Sequence, residues 1–277
     1  MYEDVLIATD GSDVAATAGT VGVSLARTLG ARVRVLSVAE DGSDAAERDR
    51  READAAAIAT DAREAGCEAE TIVRTGRPAS EIRTAADEID AGLVVVGTHG
   101  RTGVRQVLFG SVALEVIREA RRPVLSVGPN AGWDGRSEPV ERVLLATDGW
   151  SGSEAATDHA LGVADAFDAE LHALYAVDVS DDTPELREGF EEHGEQTTAA
   201  VTQRAAERGL EASRTVVHGA PDEVILDRAT ETDLLVMGTE SKSNLERLVV
   251  GSVSQRVVPS AGVPVMTVRT VGDQDSS

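Results

Sequence analysis

The chain has 277 residues, with 26 Lys+Arg against 49 Asp+Glu, a formal charge of −23 and 42% hydrophobic residues. That apolar content supplies a packed interior and excludes global disorder, while the charge disfavours nucleic acid and anionic membranes as partners. No apolar run reaches the roughly 18 residues of a membrane span, the acidic start Met1-Tyr2-Glu3-Asp4 lacks a secretory n-region, and one cysteine, Cys67, excludes an intrachain disulfide; a cytoplasmic protein is the expectation.

In chain order, Val5-Leu6-Ile7-Ala8-Thr9 is a short apolar strand ending at Asp10-Gly11. A helix follows from Ser12, a plausible N-cap, to about Leu29, with Gly30 as its stop. Val33, Val35, Leu36 and Val38 give a second strand, and the Ala/Glu/Arg-rich stretch from about Asp44 to Ala65 a second helix closed by Gly66. Glu68 to Arg74 reads as a third strand, and Pro78 sits at or near the first position of a helix running to about Ile89. Leu93-Val94-Val95-Val96 is a continuous apolar strand of the kind buried on both faces. A Gly-rich loop then leads to a helix opening at Ser111, and Pro123-Val124-Leu125-Ser126-Val127 is the closing strand.

The whole pattern then repeats. Ala8-Thr9-Asp10-Gly11 recurs as Ala146-Thr147-Asp148-Gly149 at an offset of 138, Gly76-Arg77-Pro78 as Gly219-Ala220-Pro221 at 143, and Gly110-Ser111 as Gly251-Ser252 at 141. This period is too long for a solenoid and marks a duplicated domain. The expected boundaries are a first domain over 1–128, a Gly/Pro-rich linker over 129–139, a second domain over 140–270 and a flexible tail over 271–277. Second-copy strands are expected near Arg142–Thr147, Glu170–Val177, Glu211–Val217, Leu234–Met237 and Val263–Val268. Strands alternating with helices predict an α/β fold: two repeated Rossmann-like domains, each a five-stranded parallel sheet flanked by helices.

Open parallel sheets bind ligands beyond the carboxyl ends of their strands, where the strand order switches. Thr9-Asp10-Gly11-Ser12 and Gly97-Thr98-His99-Gly100-Arg101-Thr102-Gly103, continuing to Gly110-Ser111, fall there. Glycines allow close backbone approach to a phosphate, and the helix opening at Ser111 presents free N–H groups and about +0.5 charge. A phosphate chain is the chemically sensible occupant; Asp10 would repel it and suits a ribose hydroxyl or a base edge. Asp10 as a simple helix cap, and the glycines as ordinary turns, are the alternatives. His99 reads as a solvated loop residue, and His159, His172, His193 and His218 lack metal-ligand spacing.

Together, Gly97-x2-Gly100-x9-Gly110-Ser111 after an apolar strand resembles the ATP-binding signature of universal stress proteins, and the resemblance covers both halves. It implies ATP as ligand, with Mg²⁺ as a companion. It places Asp10 and Val38 beside the adenosine, with Ala8, Thr9 and Val112 in the same pocket, and Gly97, Gly100, Gly110 and Ser111 along the phosphates. Ala8 stands where many relatives carry Pro. No Gly-x4-Gly-Lys-Ser/Thr occurs and the first copy has no Lys, so Arg101 and Arg105 become the charge partners. Nothing positions an attacking water, so slow hydrolysis at most is expected of a nucleotide-dependent regulatory module. A nucleotidyltransferase or ATP-pyrophosphatase, and a scaffold without nucleotide, are the competing readings.

The second copy keeps Asp148, Gly238, Gly251 and Ser252 but has Ser241 in place of the Gly100 glycine, and Glu240 beside it. A carboxylate about 4 Å from a phosphate costs on the order of a few kcal/mol at an effective dielectric near 20. A weaker second site is the expectation, with Lys242 partly offsetting the charge. The resemblance further implies an intramolecular pseudo-dimer, with a homodimer as an added option. Lys242 is the only lysine against 25 Arg, which suits a salt-accumulating, haloarchaeal cytoplasm, where charge repulsion is screened within about 3 Å; an Arg-codon-rich genome gives the same bias.

Overall fold

β1 (Asp4–Thr9) and β4 (Leu93–Gly97) are nearly uninterrupted aliphatic runs, and Val5, Leu6, Ile7, Leu93, Val94 and Val95 are completely buried. Strands buried on both faces belong at the centre of a parallel sheet. The computed structural model describes residues 2–98, 110–129, 131, 133, 140–178, 184–239 and 251–269. The chain divides into two units, Met1–Arg136 and Ser137–Ser277.

The first unit also contains β2 (Arg32–Ala39), β3 (Ala69–Thr75) and β5 (Val124–Val127), with helices α1 (Asp13–Leu29), α2 (Ala45–Glu64), α3 (Pro78–Glu88) and α4 (Ser111–Glu119). Its strands run in the order β3-β2-β1-β4-β5, all parallel. Val5 pairs with Val33 on one side and Leu93 on the other, so aliphatic residues face each other across the centre. β1 therefore lies between β2 and β4, and the strand order reverses there. From Thr71 to Thr75 strand β3 alternates exposed and half-buried residues, as an edge strand with one solvated face does.

The second unit repeats this with β6 (Arg142–Ala146), α5 (Ser151–Phe167), β7 (Glu170–Val177), α6 (Pro184–Glu207), β8 (Ala212–His218), α7 (Pro221–Ala229), β9 (Leu234–Gly238), α8 (Ser252–Ser260) and β10 (Val265–Val268). Its order is β8-β7-β6-β9-β10, again parallel. The predicted repeated α/β fold is what forms.

Local chemistry sets the element ends. Ser12 caps α1, its Oγ accepting the Ala15 N–H at 3.2 Å, and Gly30 closes it in the left-handed region at φ 65°. Asp44 caps α2 by accepting the Glu47 N–H at 2.8 Å. Pro78 opens α3 and Pro221 opens α7. The closing strands begin one or two residues later than the sequence suggests, at Val124 and Val265. Pro123 has no N–H for the ladder and contributes only its carbonyl, which accepts the Val94 N–H at 3.0 Å.

Candidate functional site

β1 ends in a turn stabilised by its own side chains. Thr9 Oγ1 accepts the Gly11 N–H at 3.1 Å, and Asp10 Oδ1 accepts the Ser12 N–H at 3.0 Å. Gly11 takes φ +74°, a conformation that L side chains rarely adopt, and a Cβ there would also collide with the Asp54 carboxylate. Asp10 is thus a turn former rather than the helix cap, which is Ser12. The second unit copies the turn: Thr147 Oγ1 accepts from Gly149 N and Asp148 Oδ1 from Trp150 N.

A cleft of about 510 Å³ opens where β1 and β4 end. It is lined by Ala8, Thr9, Asp10, Val38, Gly97, Gly110, Ser111 and Val112, eight of the ten residues predicted from the sequence for this site. The other two, Gly100 and Arg101, lie outside the described residues, as do His99 and Arg105. The lining is polarised. Asp10, Glu40 and Glu47 bring carboxylates from the ends of β1 and β2 and from α2, whereas the described lining residues from β4 and α4 are all uncharged. On that neutral side α4 begins at Gly110, with no side-chain cap, and Ser111 and Val112 expose its first turn. The Gly110 N–H is taken by Thr98 O at 2.8 Å, which fixes the helix tip to the end of β4. The result is a helix N-terminus whose leading amides have no side-chain acceptor, beside a cleft that fits a small molecule.

Gly97 has a packing role that the sequence did not suggest. A Cβ there would meet Val14 Cγ1 at 3.2 Å and Ala15 N at 3.3 Å, so the glycine lets the first turn of α1 approach β4. At Gly238 the approach is closer, with the Gly152 carbonyl carbon and oxygen at 2.8 Å.

The residue that sequence reasoning missed is Arg51. It is 3% exposed and lines the cleft. Its Nη1 donates to Asp10 O at 2.5 Å, its Nε and Nη2 reach Glu47 Oε1 at 2.9 Å, and Asp54 Oδ2 is 3.4 Å from Nη1. This cation ties α2 to the Asp10 turn and neutralises part of the acidic wall. Within an Ala/Glu/Arg-rich helix, no periodicity separates a buried arginine from solvated ones.

The second unit has a matching cleft of about 470 Å³, lined by Ala146, Thr147, Asp148, Gly238, Gly251 and Ser252 among others. These include four of the five residues expected there; Ser241, with Glu240 and Lys242, lies outside the described residues. Tyr175 and Phe190 also line it. Burial holds the Tyr175 hydroxyl above its ordinary pKa, with Asp148 adding to the effect. His193 Nε2 lies 3.1 Å from Asp148 O, the contact that Arg51 makes in the first unit, and so carries the proton that donates to that carbonyl.

Among the described residues, no group of three or more His, Cys, Asp or Glu side chains could hold a metal ion, and no helix is long and apolar enough to cross a membrane. Cys67 is a free thiol in the turn before β3, its N–H bonded to Ala62 O at 2.9 Å; burial pushes its pKa up, away from thiolate reactivity, with Arg27 opposing.

A duplicated five-stranded parallel domain with an amide-tipped cleft at each switch point is an architecture built for small ligands. The universal stress protein family model matches residues 1–128 and 139–269, and the chain belongs to that family. A universal stress protein of Methanocaldococcus jannaschii is 35% identical over 139 residues, covering 47% of this chain and 82% of that protein. One of Mycolicibacterium smegmatis is 35% identical over 208 residues, covering 72% of this chain and 69% of its own. The crystal structure of a universal stress protein from Archaeoglobus fulgidus shares the fold with a TM-score of 0.73 at 22% identity, covering 97% of this chain and 99% of that one.

Proposed function

We propose that the first unit binds ATP in the cleft between β1 and β4, and that the protein is a nucleotide-dependent regulatory module of the stress response. One observation carries this reading: the uncharged Gly110–Ser111 tip of α4 lies on one side of the cleft and the carboxylates lie on the other. A polyphosphate is favoured where amides and the helix dipole meet it and carboxylates are distant. Adenosine then belongs against Ala8, Val38 and Asp10, whose free carboxylate oxygen suits a ribose hydroxyl. Mg²⁺ would arrive on the phosphates, since no described side-chain group could hold it alone. Arg51 is engaged by Glu47 and the Asp10 carbonyl, and no described residue of the cleft is placed as a general base with its own orienting partner. Hydrolysis is therefore slow at most, and binding itself is the output.

Calorimetric titration of the full chain with Mg-ATP in molar KCl tests this. Saturable binding at one site or more is expected; no heat at millimolar ATP removes the proposal.

A further inference from the structure

A polar cluster near the start of β7 takes no part in either cleft. Glu170 and His172 share one face of the strand, and Ser213 stands opposite His172 on β8. Ser213 Oγ donates to Glu170 Oε1 at 2.6 Å and lies 2.9 Å from His172 Nδ1. A hydroxyl has one proton, and the carboxylate takes it. Ser213 therefore accepts from His172, which fixes the imidazole proton on Nδ1 and leaves Nε2 a bare acceptor. That nitrogen is screened from solvent and has no hydrogen-bond partner among the described residues. The matching place in the first unit holds Arg34, opposite Glu70 on β3, which pairs with Asp4 and Glu70 and does not titrate.

The ring lies on the α7 face of β7. On the other face Tyr175 packs against α6, where a Cβ at Gly194 would lie 2.6 Å from Tyr175 Cδ1, and Arg214 of β8 pairs there with Glu195. The charges that act on the imidazole are Glu170 on its own strand and Arg228 and Glu231 from the α7 end. On β6, Leu144 stands opposite the ring and Arg142 opposite Glu170. Asp233 is engaged by the Glu141 and Arg142 amides, both at 3.0 Å. Burial holds the imidazole below its ordinary pKa, Arg228 adds to this, and Glu170 and Glu231 oppose it. A second proton would sit on Nε2, where the new donor finds no acceptor, and a buried donor without a partner is unfavourable. The ring accepts that proton by turning outward, which breaks its bond to Ser213.

Both elements that this frees lead away from the centre of the sheet. β8 ends the strand order and is paired with β7 alone. α7 (Pro221–Ala229) spans roughly 13 Å, with Arg228 in its last turn and Pro221 and Ile225 lining the second cleft. Leu174, two residues beyond His172 on the same face of β7, lines that cleft too.

We propose that His172 is a pH-sensitive latch: proton uptake releases the β8–α7 edge of the second unit as a local event and loosens the second cleft along its α7 side. The latch is closed above the ordinary imidazole pKa of about 6.5 and opens as pH falls below it, because the open form takes up the proton and the closed form resists. It operates whatever ligand either cleft takes.

The test is imidazole NMR and amide hydrogen exchange on the full chain, from one pH unit above the ordinary imidazole pKa to one below, with exchange corrected for its intrinsic pH dependence. At the upper pH His172 should show the Nδ1–H tautomer. On acidification, opening of β8 and α7 should increase by up to about tenfold, the factor by which a free imidazole favours its charged form one unit below its pKa. The central strands β6 and β9 should hold, as should β3 and α3 in the first unit, where Arg34 stands in place of the histidine. His172→Asn presents an amide donor near the Nδ1 position without a titrating group, and should abolish the increase. An Nε2–H tautomer in the parent overturns the proposal, and this reading requires no variant. So does an unchanged β8 and α7, an increase spread equally over β6 and β9, or a His172→Asn variant that responds as the parent does.

Discussion

Replacing Arg51 by Met should unfold the first unit far more readily, because it is the buried cation of its cluster; Arg50, which also pairs with Glu47, is exposed. The guanidinium is 3% exposed and holds Glu47, Asp54 and the Asp10 carbonyl together. Removing one partner of a buried charge cluster typically costs about 3–5 kcal/mol. Here Glu47 and Asp54 are 25% and 24% exposed, so water recovers part of the loss; about 2 kcal/mol is the working figure. With an m-value of roughly 1.5 kcal/mol/M, the urea midpoint should fall by about 1.3 M. Each unit contains one tryptophan, Trp133 in the first and Trp150 in the second, so a Trp150→Phe background reports the first unit through Trp133 fluorescence. Arg51→Lys keeps the charge but loses the fork and should fall between. A midpoint within about 0.3 M of the parent would refute the view that this buried cation anchors the Asp10 turn. Affinity for ATP measured on the same variant should fall with it, as the turn loosens.

Gly238→Ala should destabilise the second unit by roughly 1–3 kcal/mol, since its Cβ meets Gly152 backbone at 2.8 Å. Gly97→Ala should cost less in the first unit, where the nearest atom is a Val14 side-chain methyl at 3.2 Å; paired urea melts read through the two tryptophans would contradict this if the order reversed. Leu36→Ala empties a completely buried position beside the first cleft and should cost about 2–5 kcal/mol in the same assay. Acidification should weaken the second unit through two histidines. Burial lowers the pKa of His159 against the opposing pull of Asp158. It also lowers that of His172, where Arg228 adds to the effect and Glu170 and Glu231 oppose it. The unfolded chain then takes up protons at the ordinary pKa of about 6.5 while the folded one resists. Stability is full above that pH and declines as pH falls below it. Melts of His172→Asn with His159→Gln between pH 7 and 5 should show a shallower decline than the parent; an identical slope would contradict the assignment.

The architecture was legible because each element carries its own signal. Continuous aliphatic runs mark β1, β4, β6 and β9, Ser12 and Asp44 mark helix starts, and Gly30 marks a stop, all from local chemistry. The turn after β1 and the tip of α4 could be placed on one cleft because strand order in a parallel sheet dictates where chain ends converge. Arg51 and Tyr175 escaped for a different reason. Their importance lies in a contact across elements: Arg51 with the turn at Asp10, Tyr175 with the glycine at Gly194. Neither the Ala/Glu/Arg-rich run of α2 nor the interrupted polar pattern of α6 announces which side chain turns inward. The sequence shows only that His193 lacks metal-ligand spacing with the other histidines; its contact with the Asp148 carbonyl depends on where α6 packs. The resemblance points to Gly97 as a phosphate neighbour; that it also admits the first turn of α1 depends on packing that spacing alone does not convey.

Crystals of the full chain grown with excess Mg-ATP would place the ligand directly. The account predicts density for a triphosphate against the amides of Gly110–Val112, with the ribose turned toward Asp10. An empty first cleft, or phosphates directed at Glu40 and Glu47, would contradict it.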